Sequence, residues 1–431
     1  MSKEFISHRG LTLRNFSPMI AKKGGYMDKV IIIGGGIIGG SILYHLYKNG
    51  YRGKAVIIEE MDALAQRSTS LSAGGFRNIW STEVNMKLTT YSIKRFSEAE
   101  KEFGVSIGFD QRGYLFTFYE DNFNMIKDFK PNWDRAGVRT ELLTPEEIEK
   151  MVPGLHTSLE HLDPEIVEFL ELKPIAGGLL GLDCGLVNPT PLAVAYIEKT
   201  KEMYPELVEI KLKTHVDRII FEGGRTKGVI TGGETIEGDI VVLAAGAWSA
   251  KILEDSGVPD EQNIPVVPLK RMLYVVNPPE IEGVLDIPFT IIDKGVYFRP
   301  EAMNWLVGKA KEEQEPGFDT EPEKDYYEEF INYIMQARID GAEYCRIQSM
   351  WGGLYAHNTK DKNGIVSFHP DFENLFLATG FSGHGVMEAP GIGQSVGEFL
   401  LKGKFETIPE VSQLDYKRFR ENKLVKETIV I

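Results

Sequence analysis

Val30-Ile31-Ile32-Ile33-Gly34-Gly35-Gly36-Ile37-Ile38-Gly39 is the stretch on which the fold turns. Four β-branched residues in succession suit a central parallel strand buried on both faces. The strand runs into G-x-G-x-x-G at Gly34, Gly36 and Gly39. Gly34 makes the turn, Gly36 lets backbone approach a pyrophosphate, and Gly39 permits close helix–strand packing. The helix opening there, with Gly35 and Ile38 at its entry, aims free N–H groups and a positive dipole end at the phosphates. Ile42, Leu43 and Leu46 continue that helix, Asn49-Gly50 ends it, and Ala55-Val56-Ile57-Ile58 forms a second strand. Glu59 closes the unit 20 residues after Gly39, where a carboxylate accepts a ribose hydroxyl; Glu60 stands beside it. The same stretch approaches the length of a membrane span, but its glycines, His45 and β-branched start fit strand, turn and helix better. The reading is a dinucleotide-binding βαβ unit.

A chain of 431 residues has room for two or three domains or one large discontinuous fold. Hydrophobic residues at 42% and charged residues at 26% are ordinary globular usage, which excludes a disordered or fibrous chain. Lys plus Arg number 48 against 63 Asp plus Glu, a net charge of −15. So acidic a surface repels phosphate backbones and no basic patch offsets it, so no nucleic-acid partner is expected. Cys184 and Cys345 are the only cysteines. They exclude a disulfide framework and Cys-based zinc and fit a reducing compartment, so no metal site is expected and the location is read as cytoplasmic, with peripheral membrane contact left open. Residues 1–26 carry Lys3, Arg9, Arg14, Lys22 and Lys23 against Glu4 alone. They are either an organelle-targeting leader, or a disordered tail or upstream start with Met27 as the real beginning.

Three further segments bear on the ligand. Ser68-Thr69-Ser70-Leu71-Ser72-Ala73-Gly74-Gly75-Phe76-Arg77 is small, polar and glycine-ended, suited to packing on a flat ring; it favours a flavin dinucleotide over a nicotinamide. Val229-Ile230-Thr231 reads as part of a hairpin. Asp239-Ile240-Val241-Val242-Leu243-Ala244-Ala245-Gly246-Ala247-Trp248 reads as a buried strand whose small terminal residues let a cofactor lie across it. Asn374-Leu375-Phe376-Leu377-Ala378-Thr379-Gly380 is a third strand, and Phe381-Ser382-Gly383-His384-Gly385-Val386-Met387 feeds a helix through Ile392, Val396 and Leu400. That helix dipole would face a group that becomes anionic. Residues 82–103 have helical spacing, and residues 311–329 read as a solvated loop and the start of a surface helix.

Taken together and in this order, the segments resemble the D-amino-acid-oxidase-like (DAO) superfamily of FAD-dependent oxidoreductases, from about Lys29 to Phe405. Phe381-Ser382-Gly383-His384-Gly385 is specific to its sarcosine-oxidase and dimethylglycine-dehydrogenase side. Tyr297-Phe298-Arg299, Trp351-Gly352-Gly353-Leu354-Tyr355, Asn358-Thr359-Lys360-Asp361-Lys362-Asn363-Gly364 and Ala389-Pro390-Gly391-Ile392-Gly393 look like the FAD-dependent oxidoreductase domain-containing family tied to respiratory complex I assembly. The resemblance implies an α/β (α+β overall) architecture of glutathione-reductase type. A Rossmann-like FAD-binding domain would come from residues 27–104, 183–257 and 348–431. An interleaved antiparallel-sheet substrate domain would come from residues 105–182 and 258–347. FAD is implied against Gly34, Gly35, Gly36, Ile38, Gly39, Glu59, Glu60, Ser68, Thr69, Ser72, Ala73, Gly74, Gly75, Val216, Ala245, Gly246, Trp248, Gly380, Gly383, His384, Gly385, Val386 and Met387.

Departures from the pattern narrow the chemistry. Relatives that oxidise sarcosine place a lysine where Met387 stands, to pair with the substrate carboxylate; here Arg77 or Arg299 would have to grip it. Those relatives attach flavin through a cysteine near Leu354, and neither Cys184 nor Cys345 falls there, so the FAD is expected to be non-covalent. A lysine that promotes reaction with oxygen aligns near Leu306, which favours a dehydrogenase over an oxidase. The implied activity is oxidation of the C–N bond of an amino acid or secondary amine by hydride transfer to flavin N5. Tyr297, Arg299, His384 and Arg77 are the substrate-side candidates, and the electron acceptor is unidentified. The alternatives are a flavin-bearing assembly factor with little catalysis and a respiratory-chain protein partner, or a 2-hydroxy-acid dehydrogenase.

Overall fold

The computed structural model describes residues 27–311 and 313–429; the basic leader and the alternatives for it lie outside the described residues. A six-stranded sheet holds, in chain order, β1 (Lys29–Ile33), β2 (Lys54–Ile58), β3 (Val208–Lys211), β4 (Ile240–Leu243), β5 (Ile365–Phe368) and β6 (Leu375–Thr379). Their spatial order is β5-β6-β4-β1-β2-β3. Every pair is parallel except the edge pair β5 and β6. The uninterrupted apolar runs of the sequence follow from burial on both faces. Val30, Ile32, Ile57 and Val242 pack on one side, Ile31, Ile33, Val56 and Val241 on the other, and all are 0–3% exposed. Each such side chain adds roughly 1.5–3 kcal/mol of transfer free energy.

The first face is covered by α1 (Ile37–Lys48), with α2 (Glu83–Phe103), α3 (Pro189–Met203) and α4 (Gly385–Lys402) around it. α1 and α4 pack unusually close because Gly393 faces Ser41. A Cβ at Gly393 would lie 2.2 Å from Ser41 Oγ and 2.6 Å from its carbonyl oxygen, and Ser41 Oγ donates to the Ala389 carbonyl at 2.8 Å. A Gly393→Ala protein should therefore lose about 1–3 kcal/mol to overpacking, read as a lower urea midpoint. An unchanged midpoint would show that the two helices part freely.

The second sheet has eight strands in the order 347–358, 266–276, 304–308, 297–301, 289–291, 114–118, 177–181, 140–143. All its pairs are antiparallel except Phe289–Ile291 with Tyr114–Phe118. One expectation is corrected here. The resemblance places residues from 348 onward in the FAD-binding segments, but Ile347–Asn358 pairs along its length with Val266–Val276 and is an edge strand of this second sheet. No helix among the described residues is long and apolar enough to cross a membrane.

Candidate active site

Both glycine loops open onto one cleft of about 310 Å³, lined from both main sheets. At its floor Gly34 takes φ +109°, a region that favours glycine, while its N–H bonds the Ile58 carbonyl at 2.9 Å. The first α1 N–H, that of Ile37, is taken by Thr69 Oγ1 at 3.1 Å; the next two have no acceptor within the helix. At Gly36 the only heavy atom within 4 Å of an added Cβ, among the described residues beyond its chain neighbours, is Thr69 Oγ1, at 3.1 Å, so its bare backbone is open to close approach. Glu59 is held by Gly35 N–H and Met61 N–H, both at 2.9 Å. Glu60 is half solvated and reaches Arg67 and His215 at 3.2 Å each. Arg67 lies 4.7 Å over the Trp248 ring, beside Val216, Ala245 and Gly246 in the cleft lining.

The loop of residues 68–75 wraps the middle of the cleft. Ser68 Oγ ties it to the Leu354 carbonyl at 2.6 Å, and Ser72 Oγ bonds back to the Thr69 carbonyl at 3.1 Å. Ser68, Thr69, Ser72, Ala73, Gly74 and Gly75 all line the cavity. From the other end of the chain Gly383, His384, Gly385, Val386 and Met387 line it at the N-terminus of α4. Two neighbouring helix N-termini from parallel α1 and α4, a bare glycine floor and an anchored carboxylate make a cradle that suits a pyrophosphate-bridged dinucleotide, so the residues present fit FAD.

Four expected residues do not line the cleft. Gly35 turns its N–H to Glu59. Gly39 supports from behind, where a Cβ would lie 2.0 Å from the Gly34 carbonyl oxygen. Gly380 makes the turn after β6 at φ +78°. Arg299 is paired to Glu301 at 2.5 Å and donates to the Ala73 and Pro300 carbonyls at 2.7 Å each; it clamps the 68–75 loop and is not free for substrate. Neither Cys184 nor Cys345 lines the cleft, and burial pushes the Cys184 thiol up to about 12.

On the side of the second sheet the cleft is walled by Tyr114, Arg271, Leu273, Phe289, Tyr297 and Tyr355. Of these only Tyr297 is among the substrate-side candidates of the sequence. Tyr114 stacks on Phe289 at 4.1 Å and Phe289 on Tyr297 at 5.2 Å. Burial raises the phenols of Tyr114, Tyr297 and Tyr355, so they stay protonated and serve as hydrogen-bond donors. Arg271 lies 5.1 Å from the centre of the Tyr355 ring, and its Nη1 donates to the Lys270 carbonyl at 2.9 Å. No carboxylate pairs with it among the described residues. The remaining candidates form a stack: Arg77 sits 3.6 Å over Trp80, and Trp80 packs edge-on against His384 at 4.4 Å.

Burial, with Arg77 nearby, drives His384 from its ordinary 6.5 down to about 3, and its Nδ1 has no partner among the described residues. It is uncharged at neutral pH. Next along α4, burial with Glu427 nearby raises Glu388 from 4.5 to about 8. The two act on stability with opposite signs. Below pH 6.5 the unfolded chain protonates His384 while the folded one resists, so stability is lost as pH falls toward 3. Between pH 4.5 and 8 the folded chain keeps the Glu388 proton that the unfolded one gives up, so stability is lost as pH rises. In urea titrations across pH 4–9, His384→Asn should flatten the acid limb and Glu388→Gln the neutral one. Unchanged limbs would show that neither group is held as the burial implies.

Residues 29–398 match the family model for DAO, FAD dependent oxidoreductase. The chain belongs to the DAO family of FAD-dependent oxidoreductases. Among its DAO relatives, FAD-dependent oxidoreductase domain-containing protein 1 of Xenopus laevis is 31% identical over 446 residues, covering 93% of this chain and 84% of the relative. Mitochondrial sarcosine dehydrogenase of Homo sapiens is 26% identical over 412 residues, covering 91% of this chain but 41% of the relative. The crystal structure of L-proline dehydrogenase from P. horikoshii superposes with a TM-score of 0.77 at 28% identity, covering 93% of this chain and 99% of that one. The α/β architecture expected from sequence is thus that of DAO flavoenzymes.

Proposed function

We propose that this DAO-family chain oxidises the C–N bond of a carboxylate-bearing amino acid or secondary amine and acts as a dehydrogenase. The observation that carries the reading is Arg271, a cleft-lining guanidinium without a carboxylate partner among the described residues, 5.1 Å from the Tyr355 ring centre in a lining that Tyr297 shares. Such a fork grips a carboxylate bidentately. The likeness to proteins named as sarcosine and L-proline dehydrogenases supports the same substrate class.

Gly34, Gly36, Glu59, residues 68–75 and residues 383–387 would hold FAD without a covalent link; bound there, it supplies a two-electron acceptor for the C–H bond beside nitrogen. Arg271 orients the substrate by its carboxylate, Tyr297 and Tyr355 donate hydrogen bonds, and Phe289 and Leu273 keep water from the reacting carbon. With His384 neutral and the phenols protonated, no group in this wall takes a proton from an ammonium, so the amine enters in its neutral form. Leu306, 1% exposed, packs with Leu273 and Val275. It lies behind the cleft-lining Leu273, and an uncharged side chain at this position does nothing to favour the charge that develops on oxygen as it is reduced, which supports a dehydrogenase.

The test is anaerobic mixing of the FAD-loaded protein with amino acids, N-methyl amino acids, simple amines and 2-hydroxy acids, followed by visible flavin absorbance. Bleaching by carboxylate-bearing amines, faster at higher pH and slowly reversed by air, is expected. Bleaching by 2-hydroxy acids alone would overturn the reading. A protein that stays yellow with the whole panel would favour the assembly-factor alternative.

A further inference from the structure

We propose that residues 425–429 are a working part of the cleft, with Glu427 as a positioning residue that fixes the Ile429 carbonyl against Arg77. Arg77 lines the cleft yet is 2% exposed. Its guanidinium has no carboxylate hydrogen-bond partner among the described residues. Its acceptors are two backbone carbonyls, Ile79 and, at 2.8 Å, Ile429. One of the two thus comes from a segment 352 residues away in sequence.

Glu427 anchors that segment. Its carboxylate accepts from Ser81 N–H at 2.8 Å, Ser81 Oγ at 2.5 Å, Thr82 N–H at 3.1 Å and Thr82 Oγ1 at 2.9 Å, with Asn85 Nδ2 at 3.4 Å and Ile429 N–H at 2.9 Å. Thr82 is the N-cap of α2 and makes no side-chain cap of its own. Glu427 therefore supplies, from a distant part of the chain, the anion that a helix N-terminus favours. The 358–364 turn holds the other end of the segment. Asn363 Nδ2 donates to the Val425 carbonyl at 2.5 Å, and Val425 N–H donates to Asp361 Oδ2 at 3.1 Å. Asp361 is itself buried against Arg418, at 2.7 Å.

Ordering five residues costs backbone entropy at every one of them. A single surface contact does not offset that, whereas the cluster of charge-assisted bonds at Glu427 does. Without them the segment leaves, and Arg77 loses an acceptor, its cover and its register on Trp80 and His384.

The test uses FAD-loaded Glu427→Ala and Glu427→Gln proteins treated with phenylglyoxal, with modified arginines mapped by peptide mass spectrometry. Arg77 should be protected in the wild type and labelled in both variants. Arg299 and Arg338, buried in ion pairs, should stay unlabelled throughout, which reports an intact fold. Arg77 protected in both variants overturns the proposal.

The kinetic consequence rests on the amine-oxidation reading. KM for the bleaching substrate should rise about tenfold with kcat held within about twofold, because a displaced Arg77 shifts the Trp80 and His384 side of the cleft. Adding Arg77→Lys to Glu427→Gln should give no second rise of that size. Labelling without a KM change overturns the claim that the segment serves the cleft. If no amine bleaches the wild type, the amine-oxidation reading falls, while labelling still decides whether Glu427 positions Arg77.

Discussion

A Gly39→Val protein is expected to carry no FAD and to lose most of its stability. The added Cβ would lie 2.0 Å from the Gly34 carbonyl oxygen and 3.2 Å from its carbon, and neither atom has room to retreat. The Gly34 N–H is bonded to Ile58, and a Cβ on Gly34 would itself lie 2.4 Å from the Ala244 carbonyl oxygen. The ends of β1, β2 and β4 therefore meet at this one turn. Relief requires α1 to slide, but α1 is locked to α4 through Ser41 and Gly393. A clash against fixed backbone exceeds the usual overpacking range, so a loss above about 3 kcal/mol is expected, a large part of an ordinary folding free energy.

Gly36→Ala is the informative companion. Its Cβ would meet only Thr69 Oγ1, at 3.1 Å, so the variant should fold with a near-normal urea midpoint and yet retain little flavin, because the methyl group enters the cradle. Far-UV dichroism, urea midpoints and bound flavin absorbance read both variants. A yellow Gly39→Val protein with a wild-type midpoint would show that the two glycines do not divide support and approach between them.

That division of labour was legible in the sequence because it is local: strand, turn, helix and acid follow one another within about thirty residues. The same holds for the entry to α4 and for α2, observed at Glu83–Phe103 where residues 82–103 have helical spacing. What was not legible depends on pairing across long distances. Ile347–Asn358 carries Gly352-Gly353 between aromatics and falls, by the resemblance, with the FAD-binding segments; only its partner, some eighty residues earlier, makes it an edge strand. Arg271 stands next to Lys270, and sequence alone does not say which faces the cleft. Lys270 turns the other way, to Asp319 at 2.7 Å and Glu323 at 3.1 Å. Arg299 is a different kind of miss, since the signal was present. Glu301 lies two residues on in the same strand and hence on the same face, which already argues for an internal ion pair.

Arg271→Met should lower kcat/KM for the amino-acid substrate by about 10³-fold, or about 4 kcal/mol, within the range for truncating one partner of a buried charge pair. Methionine keeps the length and apolar contact against Tyr355 while removing the charge, so flavin content and the urea midpoint should change little. Arg271→Lys keeps the charge but not the fork, and a loss of about 10–100-fold is expected. The decisive comparison uses the methyl ester of the same substrate, which offers no carboxylate. Wild type should handle the ester poorly, and Arg271→Met should reduce its turnover by less than about threefold, because the guanidinium has nothing there to hold. Equal losses on acid and ester would place Arg271 in the architecture of the wall, in contact with Tyr355 but not with substrate. The carboxylate would then fall to Arg77, whose two carbonyl acceptors leave further N–H groups on its fork.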